Sequence, residues 1–584
     1  MRTSFFSLLI LFLAFDAQAA DRQPNILIIL SDDQGWGDLS SSGNTNLKTP
    51  HIDSLARDGA KFDRFFVSPV CAPTRAELLT GRFHPRTGVW GVSRGEERLN
   101  LDEKTIADML KEGGYRTGNF GKWHNGTQYP YHPNGRGFDE YYGFTSGHWG
   151  HYFSPLLEHN GKAVKGNGYV TDDFSEQAMK FMEDSKDNPF FCYVTYCTPH
   201  TPFQITDEFY DRFKDKTFDM EHRDPEKEEI GRTRAALSMV ENIDWNVGRM
   251  LEKLDDLDIA DDTIVIYFSD NGPNSWRWND DMKGRKGSTD EGGVRVPCYV
   301  RWPKKIPAGH TIEGIAGAID FMPTLSEMTG VPIRGMKMLD GISQAKQLMS
   351  LNAPKPNDRF IFSQRGGRIS ARTNQYRLDQ NGALFDMLAD PGQRNDISKQ
   401  HGAITRMIQG AIDEFREETW PDGKPASRPF TVGYKEFPVT VLPARDAIAT
   451  GDIERSNRAP NCSFFTNWVN TEDTVGWNIA VNEPGNYAVT VYYTCPEKEL
   501  GSTFQVTADG EKVSGKITEA HDPPLVGESD DRFPRGTESF VKEFKPLMIG
   551  NIALKSGGTL ITVQPTEIAG SQVMDIRGIT LELL

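Results

Sequence analysis

Four short apolar runs, each followed at once by polar residues, place the strongest constraint on the fold of this chain. The runs are typical of buried strands, and segments with helical periodicity lie between them, as at 105–110 and 234–254. This alternation favours an α/β fold with a large mixed, mainly parallel sheet flanked by helices. Ligands of such sheets bind beyond the carboxyl ends of the strands. One pocket is therefore expected to collect the polar residues that follow the runs: Ser31-Asp32-Asp33 after 26–30, Gly121-Lys122 after 115–120, His200 after 190–194, and Ser269-Asp270 after 264–268.

The sequence changes character twice along its 584 residues, which exceed what one hydrophobic core usually holds. We assign residues 21–353 to the large α/β domain. Residues 354–437 are expected to form a small α+β subdomain and linker, with Asn381-Gly382 as a hairpin turn and a helix over 403–418. Period-two apolar runs then predict an antiparallel β-sandwich over 438–584. The pattern of short alternating strands resembles that of carbohydrate-binding modules. The domain could anchor substrate or support the structure, and the sequence leaves both roles open.

The first residues differ in composition from the rest of the chain. Arg2 precedes an apolar run over 5–15, and Ala17-Gln18-Ala19 follows as a small-residue cleavage site, so a signal peptide is predicted over 1–19. An uncleaved membrane anchor is disfavoured, because about eleven apolar residues cannot span roughly 30 Å of hydrocarbon. We expect a periplasmic or secreted protein without a membrane partner.

The net charge limits which partners the protein can bind, and the cysteine content indicates whether disulfides stabilise the fold. The net charge of −17 disfavours nucleic acid and anionic membrane surfaces as partners, so an anionic substrate needs a local cationic pocket. Six cysteines are too few for a fold built on disulfides. Cys462 and Cys495 are candidates to pair, whereas Cys192 and Cys298 lie in apolar strand-like runs and are expected to be buried thiols.

The segment from Cys71 to Arg82 carries the most chemical information. Pro73 suits the first turn of a helix and Gly81 its end, so Cys71 is predicted at a helix N-terminus. Backbone N–H groups and the helix dipole favour anions there. A thiol in that position can itself be a nucleophile, and on the residues alone this alternative stays open.

Cys-x-Pro-x-Arg at 71–75, followed by Leu-Thr-Gly at 79–81, resembles the signature of the type I sulfatases of the alkaline phosphatase superfamily. The resemblance spans roughly 24–430 and implies an alkaline phosphatase-like fold and an arylsulfatase-like sulfuric ester hydrolase. It also implies that a formylglycine-generating maturation system oxidises Cys71 to formylglycine. Five further pieces are similar to the family pattern and occur in its order: Ser31-Asp32-Asp33, Gly121-Lys122-Trp123-His124, Pro199-His200-Thr201-Pro202, Ser269-Asp270-Asn271-Gly272, and Lys286-Gly287-Ser288-Thr289 with Glu291-Gly292-Gly293.

Four side chains at these positions, Asp32, Asp33, Asp270 and Asn271, offer only oxygen ligands. Oxygen ligands point to a hard cation, calcium before magnesium, rather than zinc. In the chemistry that the resemblance implies, the formylglycine hydrate at Cys71 is a further ligand. The ion lowers the pKa of the attacking hydroxyl and polarises the bound sulfate.

The resemblance also implies roles for the remaining polar residues. One hydroxyl of the hydrate attacks sulfur, and the alcohol leaves with a proton from His200, helped by Lys286. His124 then takes a proton from the second hydroxyl, and the hemiacetal sulfate collapses to release sulfate and the aldehyde. Lys122, Arg75 and Lys286 neutralise charge on the sulfate oxygens and hold the diol.

The main hypothesis is therefore a sulfatase that acts on a sulfated polysaccharide or oligosaccharide. A phosphate ester hydrolase on the same scaffold is one alternative, although such relatives commonly use Thr or Ser and two zinc ions. A non-catalytic protein that binds sulfated glycans is another, and it predicts the loss of a reacting group. His148, His151 and the segment 276–278 are weighed as substrate contacts but left outside the predicted site.

Overall fold

The computed structural model describes residues 22–354 and 358–584, so the predicted signal peptide over 1–19 lies outside the described residues. Over these two ranges, eleven strands join in one sheet: β1 (Asn25–Ser31), β2 (Ala60–Phe66), β3 (Arg116–Lys122), β4 (Glu140–Phe144), β5 (Leu156–His159), β6 (Lys162–Lys165), β7 (Phe190–Thr195), β8 (Thr263–Ser269), β9 (Arg295–Val296), β10 (Cys298–Arg301) and β11 (His310–Gly317). Their order is β11-β2-β10-β8-β1-β7-β3-β4-β5-β6, with β9 paired to β2. The central strands β8, β1, β7, β3 and β4 run parallel, whereas β10 and the pair β5–β6 are antiparallel. The predicted large mixed, mainly parallel sheet is confirmed.

Helices cover both faces of this sheet. Because side chains alternate along a strand, Leu27 and Ile29 of β1 enter one core, and Ile26 and Ile28 enter another. All four side chains are fully buried, which explains why the centre of β1 is a continuous apolar run. The helices of this region are α1 (Pro50–Arg57), α2 (Cys71–Thr80), α3 (Ile106–Glu112), α4 (Val170–Ser185), α5 (Asp207–Tyr210), α6 (Ile230–Asp256), α7 (Glu291–Val294), α8 (Phe321–Thr329) and α9 (Ala345–Met349).

The carboxyl ends of β1, β3, β7 and β8 lie side by side, and the polar residues that follow them meet there. The backbone N–H of Asp32 donates to the Thr198 carbonyl (3.0 Å), and that of Asp270 donates to the Ser31 carbonyl (3.0 Å). These bonds tie the segments beyond the strand ends to one another. The polar clusters that were predicted to share one edge of the sheet therefore do so.

A smaller unit follows the large sheet. Four antiparallel strands form its sheet, and α10 (Gly402–Thr419) packs on them through Ile408 and Ile412. The predicted turn at Asn381-Gly382 joins the last two strands, with Gly382 in the left-handed region at φ 83°. These strands are β12 (Ile361–Arg365), β13 (Arg368–Arg372), β14 (Tyr376–Leu378) and β15 (Leu384–Asp386).

The last part of the chain contains twelve strands over its described residues: β16 (Phe430–Val432), β17 (Val439–Pro443), β18 (Ile448–Ala449), β19 (Glu454–Arg455), β20 (Phe465–Thr466), β21 (Val475–Val481), β22 (Gly485–Thr494), β23 (Thr503–Ala508), β24 (Glu511–Lys516), β25 (Lys545–Leu554), β26 (Gly557–Glu567) and β27 (Asp575–Leu583). They form two six-stranded sheets, β16-β21-β26-β23-β24 with β18 and β19-β20-β27-β22-β25 with β17, around one apolar core that includes Trp477 and Val489. The predicted sandwich is present. Two details differ, because β16 begins before residue 438 and pairs in parallel with β21. The domain boundaries themselves stay a prediction.

The cysteines are free thiols, and the suggested pairing of Cys462 with Cys495 is wrong. The Cys462 thiol donates to the His148 carbonyl (3.0 Å) and so faces the large domain. Cys495 lies instead in the core of the sandwich. Cys192 and Cys298 are buried, as predicted. Among helices of the described ranges, none combines the length and apolar composition that a membrane span requires.

Candidate active site

Cys71 is the first residue of α2, a helix whose residues are all buried. Gly81 ends the helix at φ 68°, where a Cβ atom would lie 2.8 Å from that of Met322, so both the conformation and the space favour glycine. Burial raises the pKa of the Cys71 thiol, although Lys122 and Lys286 act in the opposite direction. A thiol with a raised pKa is a poor nucleophile at neutral pH, which weighs against the bare-thiol alternative.

Two buried carboxylates lie beside Cys71, and a third adjoins them. Its sulfur and carboxylate oxygens of Asp32 and Asp270 all lie within 4.8 Å of one another, and an equally tight group joins Asp32, Asp33 and His200. Asp33 has a left-handed backbone at φ 67°, a strained conformation for this residue that is typical of functional sites. Burial, followed by the charge of Asp32, raises the pKa of Asp270 to about 7. So much negative charge in one buried place calls for cations.

Oxygen atoms without partners show where a cation fits. Asp32 Oδ1, Asp33 Oδ2 and Asn271 Oδ1 are buried and accept no hydrogen bond from any described residue. Buried polar atoms are nearly always paired, so three orphaned oxygens in one cluster need an explanation. A hard divalent cation with oxygen ligands provides it. The residues that the sequence predicts as metal ligands therefore fit a hard divalent metal ion.

Two lysines neutralise part of this charge. Lys122 Nζ lies 2.6 Å from Asp32 Oδ2, and Lys286 Nζ lies 2.6 Å from Asp33 Oδ1. Burial acts to lower the pKa of both lysines, but the neighbouring aspartates dominate and raise it, so both stay charged. The Lys122 side chain is fully buried, whereas that of Lys286 is 20% exposed. Lys286 is therefore the lysine that reaches the open side of the site.

Arg75 lies behind the cluster rather than in front of it. Its Nε and Nη2 donate to Asp270 Oδ2 (3.1 and 2.8 Å), and its Nη1 donates to the Lys122 carbonyl (2.6 Å). Arg75 and Asp270 are both fully buried. The guanidinium thus connects α2 to the ends of β3 and β8, which is a positioning contact. Its predicted action on the sulfate oxygens stays a prediction.

His124 has one ring nitrogen free to accept a proton. Its Nε2 is 2.7 Å from the Val92 carbonyl, which can only accept, so Nε2 carries the hydrogen and Nδ1 has the lone pair. That Nδ1 atom is buried and makes no hydrogen bond within the described part of the chain. Burial, together with Lys122, lowers the pKa of His124 well below its ordinary value, which keeps the ring neutral.

His200 is oriented by its neighbour in sequence. Its Nδ1 donates to the Thr201 carbonyl (2.7 Å), and its Nε2 is directed at Asp33 Oδ2, 3.6 Å away. Burial and the charge of Lys286 lower the pKa of His200 to about 3. The ring is therefore neutral without substrate.

The predicted set of site residues lacked Glu538, which the sandwich contributes. Its Oε1 lies 3.9 Å from His200 Nδ1 and 3.8 Å from His148 Nδ1, and the two histidine rings stack with centroids 5.6 Å apart. Glu538 Oε2 is buried and has no hydrogen-bond partner among the residues described. Burial, although Lys286 opposes it, raises the pKa of Glu538 to about 8.

Loops of the sandwich hold Glu538 against the large domain. Arg535 Nη1 donates to the Gly150 carbonyl (2.8 Å), and Gln204 Nε2 donates to the Gly527 carbonyl (2.8 Å). A second loop brings Asn461 near, since a Cβ atom on Gly147 would touch both Asn461 Nδ2 (2.5 Å) and His124 Nε2 (2.6 Å). No local sequence pattern indicated these residues. Only their long-range packing places them at the site.

The side chains weighed as substrate contacts separate into two groups. His148 lies in the site, whereas His151 pairs with Asp530 of the sandwich (3.0 Å). Arg277 is buried in an ion pair with Asp38 (2.6 Å) and is structural. Trp276 lines the adjoining cleft, but its ring already forms a cation–π contact, since the Arg285 guanidinium lies 4.8 Å from the ring centroid.

Comparison with known proteins gives a consistent result. A family model described as Sulfatase matches residues 24–331. The chain is 30% identical to N-acetylgalactosamine-6-sulfatase of Canis lupus familiaris over 398 residues, covering 62% of this chain and 72% of the relative. It is 32% identical to Homo sapiens arylsulfatase A over 421 residues, covering 64% and 78%. The crystal structure of Ps i-CgsB in complex with k-i-k-neocarrahexaose is 32% identical, with a TM-score of 0.62, and covers 68% of this chain and 94% of that one.

Proposed function

Since this chain belongs to the sulfatase family and is a sulfuric ester hydrolase, we propose that it removes sulfate from a sulfated polysaccharide or oligosaccharide. The cluster around Cys71 carries the proposal, because it combines buried carboxylates, two lysines and two histidines at the edge of the sheet. Two similar proteins support a carbohydrate substrate. One is named for N-acetylgalactosamine, and the Ps i-CgsB structure contains a neocarrahexaose.

The proposed nucleophile is a formylglycine made from Cys71 by a formylglycine-generating maturation system. The Cys-x-Pro-x-Arg motif supports it, and so does the raised pKa of the thiol, which makes an unmodified cysteine a poor nucleophile. The hydrated aldehyde supplies one hydroxyl to attack sulfur and a second from which the aldehyde is regenerated. The N-terminal position of residue 71 on α2 adds a favourable field for the anionic ester.

The proposed cofactor is one calcium ion, with magnesium as the other hard cation that the ligands suit. Asp32, Asp33, Asp270 and Asn271 would hold it together with the oxygen of residue 71. A bound ion of this kind supplies Lewis acidity to the sulfate oxygens and lowers the pKa of the attacking hydroxyl. The orphaned oxygens of three of these residues support the assignment.

The histidines have complementary roles in the proposal. His124 accepts a proton at Nδ1, the nitrogen that the Val92 contact leaves free. His200 donates a proton from Nε2 to the departing alcohol, because its Nδ1 is already engaged by the Thr201 carbonyl. A neutral His200 must first be protonated, and the negative charge of a bound sulfate ester next to the ring favours this. Lys286 shares the task of stabilising the leaving oxygen.

The two remaining predicted residues, Lys122 and Arg75, neutralise charge and hold other side chains in position. Lys122 offsets charge on the sulfate oxygens from a fully buried site, where such contacts are strong. Arg75 holds Asp270 and the end of β3, and so acts through them. No reacting group is absent from the cluster, which weighs against a purely non-catalytic binding protein. The sequence of residues 1–19 supports a periplasmic or secreted location.

The deciding experiment joins modification and turnover in one preparation. Mass spectrometry of the peptide that contains Cys71 should show the mass loss that accompanies replacement of the thiol by an aldehyde. The same protein should release sulfate from members of a panel of sulfated oligosaccharides, and Cys71→Ala should not. A phosphate ester, 4-nitrophenyl phosphate, is the matched control for the alternative activity. Turnover by protein whose Cys71 is still a thiol would exclude the formylglycine mechanism, and preference for the phosphate ester would exclude the proposed reaction.

A further inference from the structure

A cleft of about 660 Å³ opens beside Lys286, and we refer to it as the basic cleft. Eight of its sixteen lining residues are lysine or arginine, and only Asp224 and Asp290 are acidic. The whole chain carries a net charge of −17, so this concentration of positive charge runs against the composition of the protein. The volume is in the range of pockets that bind small ligands.

Both acids of the basic cleft are already paired with lysines. Lys227 Nζ lies 2.7 Å from Asp224, and Lys283 Nζ lies 3.4 Å from Asp290. Four arginines of the cleft form no ion pair with any residue of the described ranges: Arg223, which donates to the Asp281 and Gly392 carbonyls, and Arg285, Arg365 and Arg368. Arg285 is half-buried, whereas Arg365 and Arg368 are exposed where they line the cleft. Three cations gathered in one cleft without a carboxylate point to a ligand that brings the negative charge.

Contacts with the backbone hold two of these arginines in place. Arg365 Nη1 donates to the Gly287 carbonyl (2.9 Å), directly after Lys286, and Arg285 Nη1 donates to the Asn274 carbonyl (2.7 Å). Burial lowers the pKa of both guanidinium groups, and Arg368 lowers that of Arg365 further. The cleft is therefore continuous with the proposed reacting centre and carries positive charge that the protein does not offset.

We propose that Arg285, Arg365 and Arg368 bind a second anionic group, a sulfate ester or a uronate carboxylate, on the saccharide whose sulfate is hydrolysed. This inference rests on the proposed function. The planar guanidinium forms two parallel hydrogen bonds with either anion, and three of them select chains that carry several negative charges over singly sulfated sugars. Lys286 lines the basic cleft and also contacts Asp33 of the carboxylate cluster, so one substrate can reach both.

The test measures binding by titration calorimetry to Cys71→Ala, which cannot turn the ligands over. Sucrose octasulfate, trigalacturonate and neutral sucrose are the probes, with 4-methylumbelliferyl sulfate as the singly charged comparison. Arg365→Ala and Arg368→Ala should each weaken binding of an anionic probe by about tenfold. The loss should exceed that for the single sulfate, and it should shrink as salt is added. Arg57→Ala and Arg416→Ala, exposed arginines outside the cleft, are the matched controls and should change affinity less than twofold.

The probes separate the two sources of charge. A loss confined to sucrose octasulfate identifies a sulfate subsite, a loss confined to trigalacturonate identifies a carboxylate subsite, and a loss for both supports a general anion subsite. Unchanged affinity of both probes in Arg365→Ala and Arg368→Ala would overturn the inference. Arg368→Lys keeps the charge and should weaken binding less than Arg368→Ala. The proposed function is judged separately, because wild-type protein with formylglycine must still release sulfate whether or not these variants change affinity.

Discussion

Arg75→Met tests whether the buried guanidinium acts by position. The wild-type side chain donates two hydrogen bonds to Asp270 and one to the Lys122 carbonyl, and none of the three groups is exposed. Methionine fills much of the same volume but leaves the Asp270 carboxylate without its counterion. Breaking a buried ion pair by removing one partner costs about 3–5 kcal/mol. We therefore expect the unfolding free energy to fall by that amount in metal-free protein.

Thermal unfolding with and without EDTA provides the assay. At roughly 2 °C per kcal/mol for a large domain, the melting temperature of metal-free Arg75→Met should fall by about 6–10 °C. Calcium should reduce this difference, because a bound cation offsets part of the Asp270 charge. Arg57→Met is the matched control, since its partner Asp58 is at the surface and the Arg57 side chain is 68% exposed. That control should change stability by less than about 0.5 kcal/mol.

A double-mutant cycle distinguishes an unpaired charge from a general packing defect. Combining Arg75→Met with Asp270→Asn removes both charges, so the double variant should be more stable than Arg75→Met alone. It should still lack sulfatase activity, because Asp270 is a proposed metal ligand. Mass spectrometry of the residue 71 peptide separates a failure of maturation from a failure of stability. A melting temperature of Arg75→Met within about 2 °C of wild type, in the absence of metal, would refute the positioning argument.

Chelation with EDTA should lower the melting temperature and abolish sulfate release, because the orphaned oxygens lose their cation, and added calcium should restore both. At a free calcium concentration of 100 times Kd, binding should stabilise the folded protein by about 2.7 kcal/mol. A melting temperature indifferent to EDTA contradicts the metal site. Glu538→Gln should lower kcat/KM by about tenfold with carbohydrate sulfates, whereas Glu528→Gln, an exposed position of the same loop, should not; equal values for the two variants exclude a role for Glu538. Gly81→Ala should destabilise by more than about 1 kcal/mol, since φ is 68° there, whereas Gly410→Ala in the open interior of α10 should be neutral or stabilising. Denaturant titration compares the two, and equal stabilities refute the strain argument.

The sequence predicted those features of the fold that depend on local patterns. Apolar runs located β1, β7 and β8, because strands buried on both faces are largely apolar. The strand β3 is buried as well, but Phe120 is its one large apolar side chain. Pro73 and Gly81 correctly bounded α2, because each has a defined backbone conformation at its end of a helix. The strand β16 was missed as part of the sandwich. It is three residues long, so the alternation of Phe430, Thr431 and Val432 is too short to indicate a strand, and its partner β21 is distant in sequence.

The sequence motifs indicated the types of residue in the candidate site, but they did not indicate which side chains contact one another. Arg75 was recognised from its motif, but which anion it contacts depends on the relative placement of α2 and β8. The suggested pairing of Cys462 and Cys495 failed for the same reason, since the two thiols face different parts of the molecule. Glu538 carries no motif and lies far from the cluster in sequence. Its position becomes visible only when the loops of the sandwich are packed against the large domain.

The position of Glu538 also bears on the role of the sandwich. A module that only anchors a polysaccharide has no need to contact the reacting centre, yet two of its loops place Glu538 beside His200 and Asn461 beside His124. Removing the sandwich would uncover His148, which is only 3% exposed, and admit water around His200. Burial is the main cause that holds the pKa values of His148, His200 and Glu538 away from their ordinary range, and water would relieve it and also weaken the charge interactions among these groups. We therefore infer that the sandwich forms a wall of the active site. Removing it should impair both catalysis and substrate binding.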